Sequence, residues 1–115
     1  QLPFGPDGKL VLTGKLGANL SVEQGAACAR LSALNILAQA KAALGDLERI
    51  RQLLKITGFV ACTPDFTQHP AVVNGASNFL GEILGERGKH TRSSVGASSL
   101  PLDTPVEIEA LFSFA

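Results

Sequence analysis

The sequence predicts an α+β fold in which two helices pack on one face of a mixed sheet. Three features predict it. Two helical patterns alternate with strand patterns along the chain. The last two strand patterns are separated only by the short turn Leu100-Pro101-Leu102-Asp103, which predicts that they run antiparallel. At 115 residues the chain has material for one core, so residues 1–115 are expected to form a single domain.

The elements follow in order. Pro6-Asp7-Gly8 is a turn sequence, and Leu10-Val11-Leu12 is a short strand candidate. Ser21 followed three residues later by Gln24 is a capping box, which satisfies two backbone donors at a helix start. The helix is predicted from Val22 to Leu44, with Gly45 as its C-terminal cap. Its Ala-rich middle allows close packing on a sheet. Asp46 to Arg49 reads as a connecting turn.

Arg51 to Cys62 reads as a strand, with Leu54, Ile56, Gly58 and Val60 on one face. Leu53, Lys55, Thr57, Phe59 and Ala61 fall on the other. Both faces are largely apolar, so the second face is expected to be buried against another subunit. Thr63 to His69 is a loop. Pro70 is suited to the first position of a second helix reaching Leu84. Val72, Val73, Ala76, Phe79, Leu80, Ile83 and Leu84 form its apolar stripe, and Asn74 points about half a turn away. Gly85 and Gly88 close this helix. Arg92 to Ser98 is a strand candidate. In the final strand Val106, Ile108, Ala110, Phe112 and Phe114 alternate with Glu107, Glu109, Leu111 and Ser113.

Composition narrows the function. Ten Lys+Arg balance ten Asp+Glu, so a strongly basic nucleic-acid binder is disfavoured. Tyr and Trp are absent. No stretch is apolar enough to span a bilayer, no secretory signal is visible, and the cytoplasm is the default compartment. Cys28 and Cys62 build neither a disulfide scaffold nor a zinc framework and read as reduced, buried small hydrophobes. His69 and His90 alone make no metal site. Walker, GxGxxG, HExxH and CxxC motifs are missing.

The chemistry-bearing region is His90-Thr91-Arg92-Ser93-Ser94-Val95, with Glu107 and Glu109 beyond it. A guanidinium at a strand start offers a planar fork of donors to a carboxylate. Spacing alone favours reading Arg92 as a surface or structural ion-pair residue. It also leaves Glu107 and Glu109 readable as a solvated face and Asn74 as an exposed helix residue.

Taken together, these motifs resemble the Rid (YjgF) family of reactive intermediate deaminases, also called endoribonuclease L-PSP. Gln1-Leu2-Pro3 is similar to the end of that family's Ser-Gly-Gln-(Ile/Leu)-Pro strand, so N-terminal strand residues are expected to precede Gln1 in the full protein. Thr91-Arg92-Ser93-Ser94-Val95 with Leu100-Pro101 is similar to its Pro-Ala-Arg-Ser-x-Val…Leu-Pro signature. Val106-Glu107-Ile108-Glu109-Ala110 is similar to its closing strand. Gly14-Lys15-Leu16-Gly17, Ala29-Arg30-Leu31 with Asn35, and Gly88 to Ser93 resemble one bacterial subgroup. Gly96-Ala97-Ser98-Ser99 differs from the commonest members, which bears on substrate range.

The resemblance implies a chorismate-mutase-like fold, a homotrimer with sites between subunits, and no metal or organic cofactor. It implies hydrolysis of 2-imino or 2-enamino acids, such as 2-iminobutanoate and 2-iminopropanoate, to 2-oxo acids and ammonia. By the same resemblance, Arg92 clamps the substrate carboxylate and Glu107 positions a water or moves a proton through it. Main-chain groups near Ser94, where the family often has Cys, touch the substrate. Asn74 matches an Asn near the cleft, and Phe66 a pocket-lining aromatic. Two other functions stay open: a non-catalytic trimeric binder of small carboxylates, and an endoribonuclease or translation inhibitor.

Overall fold

The computed structural model describes every residue from Gln1 to Ala115. The elements are helix α1 (Val22–Leu44), strand β1 (Ile50–Ala61), helix α2 (His69–Leu84), strand β2 (Thr91–Ala97) and strand β3 (Val106–Phe114). Short 3₁₀ turns lie at Leu47–Arg49, Gly85–Gly88 and Pro101–Asp103. The capping box at Ser21 is formed in both directions: the Gln24 N–H donates to Ser21 Oγ, and the Gln24 side chain accepts from the Ser21 N–H. Gly45 ends α1 at φ 84°, a conformation costly for residues with a Cβ. In α2, Pro70 occupies the first turn, where its missing N–H costs nothing.

The sheet order is β2-β1-β3. β1 pairs parallel with β2 and antiparallel with β3. β2 and β3 therefore run in opposite directions, as expected, but they flank β1 and do not form a hairpin. Leu10-Val11-Leu12 forms no extended strand, only an isolated bridge between Leu10 and Phe4. At the outer edge of β3, the Ile108 N–H donates to the Gln1 carbonyl at 3.0 Å. From α1, Asn35 holds the same N-terminal segment by donating to the carbonyls of Leu2 and Phe4, each at 3.0 Å.

The face assignment of β1 needs a correction. Against β3 the register slips between Ile50 and Gln52 and between Leu53 and Lys55. Each slip inserts one extra residue, and a one-residue insertion reverses which side chains face the core. Ile50, Leu53 and Ile56 consequently all point at the helices and are buried, whereas Leu54 is 44% exposed. From Ile56 onward the period of two is regular, with Ile56, Gly58 and Val60 buried beneath the helices.

Both helices cover this one face. The α2 stripe is buried as the spacing predicts, except for Ile83, which is exposed. The two helices meet where side chains are smallest: a methyl on Gly75 would strike the backbone of Ala26 in α1. A methyl on Gly58 would likewise strike Val73, so Gly58 lets α2 sit low on β1. Arg30 lies 4.7 Å over the Phe79 ring at the helix–helix seam and is worth about 0.5–1 kcal/mol there. No helix is long and apolar enough to cross a membrane.

These contacts separate two glycines of the same helix. Gly75→Ala should destabilise the fold by about 2 kcal/mol, because overpacking against backbone outweighs the gain in helix propensity of about 1 kcal/mol. Gly81→Ala, where an added methyl meets nothing within 4 Å, should stabilise by about 0.5–1 kcal/mol. Urea unfolding of the two variants checks both signs.

Candidate active site

Arg92 lies near the start of β2, opposite Ile56, so its side chain leaves the sheet on the helix-covered face. Since β2 is an edge strand, that side chain extends along the flank of α2. One terminal nitrogen donates to Ser77 Oγ at 3.0 Å and the other to the Pro70 carbonyl at 3.3 Å. It has no carboxylate within ion-pair distance. The ion-pair reading of Arg92 is therefore set aside, and a half-buried guanidinium keeps uncommitted donors.

A hydrogen-bonded chain fixes this guanidinium. His90 Nδ1 lies 2.6 Å from the Gly88 carbonyl, which only accepts, so Nδ1 carries the proton. In the neutral ring Nε2 is then the acceptor, and the Ser77 hydroxyl donates to it across 2.9 Å. Ser77 Oγ in turn accepts from Arg92. The direction runs from Arg92 through Ser77 and His90 to Gly88, and each link of this chain pairs one donor with one acceptor.

The other expected site residues separate into three groups. Asn74 is exposed, as its helical position allowed, and shares the flank of α2 that carries Pro70 and Ser77, at the helical spacing i, i+4, i+7. Ser94 projects from the same face of β2, two residues on, opposite Gly58. Its Oγ is buried and has no hydrogen-bond partner. Arg92 and Ser94 thus share the helix-covered face of β2, and Asn74 lies on the α2 flank whose Pro70 and Ser77 hold Arg92.

Phe66 lies elsewhere, in the loop after β1. It lines a cleft of about 430 Å³ together with Lys15, Cys62, His69 and Gly96. At the rim of this cleft the Thr63 hydroxyl donates to Asp65 at 2.6 Å, which pulls that exposed carboxyl below its ordinary range. Glu107 is on β3 opposite Phe59, and it points out of the open face of the sheet. Within one protomer β1 and the thickness of the sheet separate Glu107 from Arg92. Glu109 and Leu111 share that open face with Lys55 and Thr57.

Sequence reasoning missed Ser77 and the role of His90. A signal existed: Ser77 follows Asn74 by three residues on a helix, and His90 precedes Arg92 by two on the same strand approach. Cys62 also departs from the expected buried thiol, being half-exposed and 3.4 Å from His69. Cys28 is buried as expected, and burial raises the pKa of its thiol. No three His, Cys, Asp or Glu side chains cluster as metal ligands.

Comparison with known proteins adds the lineage. Protein TCP17 of Trypanosoma cruzi is 45% identical over 101 residues, covering 87% of this chain. The chain spans 63% of that curated relative's length. The crystal structure of Atu1372 from Agrobacterium tumefaciens, a protein of unknown function, matches with a TM-score of 0.98 and 46% identity, over all of this chain and 73% of that one. E. coli TdcF with bound serine matches with a TM-score of 0.64 and 27% identity, over all of this chain and 76% of that one. The family model described as YjgF/chorismate mutase-like, putative endoribonuclease, matches residues 1–113. With two helices on a mixed three-stranded sheet and a family match over nearly its whole length, the chain belongs to the YjgF/chorismate mutase-like family.

Proposed function

We propose that this chain hydrolyses 2-imino and 2-enamino acids to 2-oxo acids and ammonia, with Arg92 anchoring the substrate carboxylate. The observation that carries this reading is the Arg92 guanidinium, held in place by Ser77 and Pro70 yet lacking a carboxylate of its own. A planar fork with free donors and a fixed orientation suits a bidentate carboxylate. Family membership supports the reaction class, and the relative TdcF binds serine, which presents a carboxylate beside an amino-bearing carbon.

The chemistry asks little of the protein. In the 2-imino acid the carbon beside the carboxylate is already electrophilic. Water adds to it, the C–N bond breaks, and ammonia leaves as the 2-oxo acid forms. Holding the carboxylate lowers the entropic cost of aligning this carbon with water. Main-chain groups beside Ser94, with Asn74, complete the pocket wall. Phe66 would extend it only for a ligand that also reaches the neighbouring cleft.

Glu107 takes part only through a second copy of the chain. The proposed assembly is a homotrimer in which the open face of one sheet, carrying Glu107, covers the Arg92 flank of the next. The exposed apolar residues Leu54, Val95 and Leu111 give that face a reason to be covered. Glu107 would there position the attacking water or relay its proton. A second reading, carboxylate capture without turnover, is favoured by the absence of Glu107 from the Arg92 side of its own protomer. Endoribonuclease action, named in the family description, gains no electrostatic support from a chain of zero net charge.

Three measurements test the proposal. Arg92→Ala should lower kcat/KM for ammonia release from 2-aminoacrylate-derived imine by at least about thirtyfold, or ~2 kcal/mol, through loss of a charge-assisted pair. Unchanged turnover would defeat the assignment, and ligand binding at Arg92 without any ammonia release would establish the capture reading. Ser77→Ala should raise KM by about threefold to tenfold through a looser guanidinium, the effect of losing one hydrogen bond worth about 1 kcal/mol. Leu111→Asp should dissociate the assembly in sedimentation and abolish turnover while leaving the protomer folded, since Leu111 is 61% exposed in the single chain.

A further inference from the structure

A second reactive constellation lies apart from Arg92. Cys62 follows the last residue of β1, and His69 opens α2. The loop between them doubles back and sets Cys62 Sγ 3.4 Å from His69 Nε2, a hydrogen-bonding distance for sulfur. Phe66 meets the imidazole edge-on, with ring centroids 5.4 Å apart and planes at 78°, which fixes the ring's tilt. Gly96 on β2 makes the space. A Cβ there would stand 2.7 Å from Nε2 and 2.9 Å from Sγ, so any side chain would push into the pair. The pair opens onto the 430 Å³ cleft, with Lys15 on its wall. Cys28, by contrast, is sealed in the core without a polar partner.

The backbone decides which thiol chemistry fits. Acyl transfer needs free donors beside the sulfur to stabilise an oxyanion. Here the Cys62 N–H is committed to the Ala97 carbonyl at 3.1 Å, and the Thr63 N–H to the Leu16 carbonyl at 3.0 Å. Addition to an activated alkene places its developing charge farther away, on a carbonyl or carboxylate oxygen. Lys15 has no carboxylate partner and lines the same cleft.

We propose that Cys62 and His69 form a nucleophilic thiol site that takes small α,β-unsaturated carbonyl compounds by S-alkylation. The sulfur lone pair forms an S–C bond to the β-carbon as the thiol proton passes to His69 Nε2. The alkene π pair moves to the α-carbon and its carbonyl as an enolate, facing Lys15. The enolate then takes the proton from the imidazolium. The sum is addition of S–H across C=C, with no oxidant and no leaving group. The site does not depend on the reaction proposed for Arg92.

The test uses Cys28→Ser protein, whose only thiol is Cys62, with acrylamide as the probe and intact-mass spectrometry as the readout. At pH 7 the native protein should form a single adduct at least about tenfold faster than free cysteine, as expected of a positioned general base. Unfolding the same protein in urea should bring its rate down to that of free cysteine in the same urea. His69→Gln should remove the acceleration with its thermal midpoint maintained, and Cys62→Ser should remain unmodified. A native rate no greater than that of free cysteine, or an undiminished rate in folded His69→Gln protein, overturns the proposal.

Discussion

The seat of α2 depends on two missing side chains. Gly58 removes a Cβ from the middle of β1 so that Val73 can descend onto the strand. Gly75, on another side of the helix, removes one where α1 crosses at Ala26. Close-packed interiors do not absorb an extra methyl at such points without moving backbone. The helix is therefore fixed in height by the sheet and in lateral position by its neighbour.

Both candidate sites inherit their geometry from that seat. The first turn of α2 carries the Pro70 carbonyl to Arg92 on one side and the His69 ring to Cys62 on another. Two turns later the same helix supplies Ser77, the link between Arg92 and His90. An edge-strand arginine with a long flexible side chain would otherwise sample many rotamers. Here two acceptors on a rigid helix hold it, so less side-chain entropy remains to be lost on binding a ligand. Gly96 extends the economy of small residues to the second site, since an open space above β2 is what admits the Cys62–His69 contact.

The two faces of the sheet divide the labour. The covered face carries the core and both helix-dependent candidate sites. The open face carries Glu107, Glu109, Thr57 and Lys55 among exposed apolar side chains. A face of this mixed character is poorly suited to water on its own. In the proposed assembly it meets the guanidinium flank of a neighbour, which reconciles the opposite placement of Arg92 and Glu107 with a shared role.

Local physics made much of the fold legible in the sequence. The Ser21–Gln24 box, the Gly45 cap, Pro70 in the first turn and the α2 stripe each encode structure over a few residues, and each is formed, with Ile83 of the stripe left exposed. Alternation in 106–114 likewise placed Val106 and Ile108 inside and Glu107 outside. The signature around Arg92 singled out a candidate, and the Ser77 and Pro70 acceptors that hold it come from elsewhere in the chain. The bulges at Arg51 and Leu54 escaped notice because an inserted residue is defined only against its partner strand. Strand order escaped for the same reason: β1 sits between β2 and β3 through pairing across long stretches of chain. Capping and periodicity are properties of neighbours in sequence, so the sequence alone determined them. Register, face and the meeting of Arg92 with Ser77 or Cys62 with His69 arise from neighbours in space, and only the packed tertiary structure could decide them.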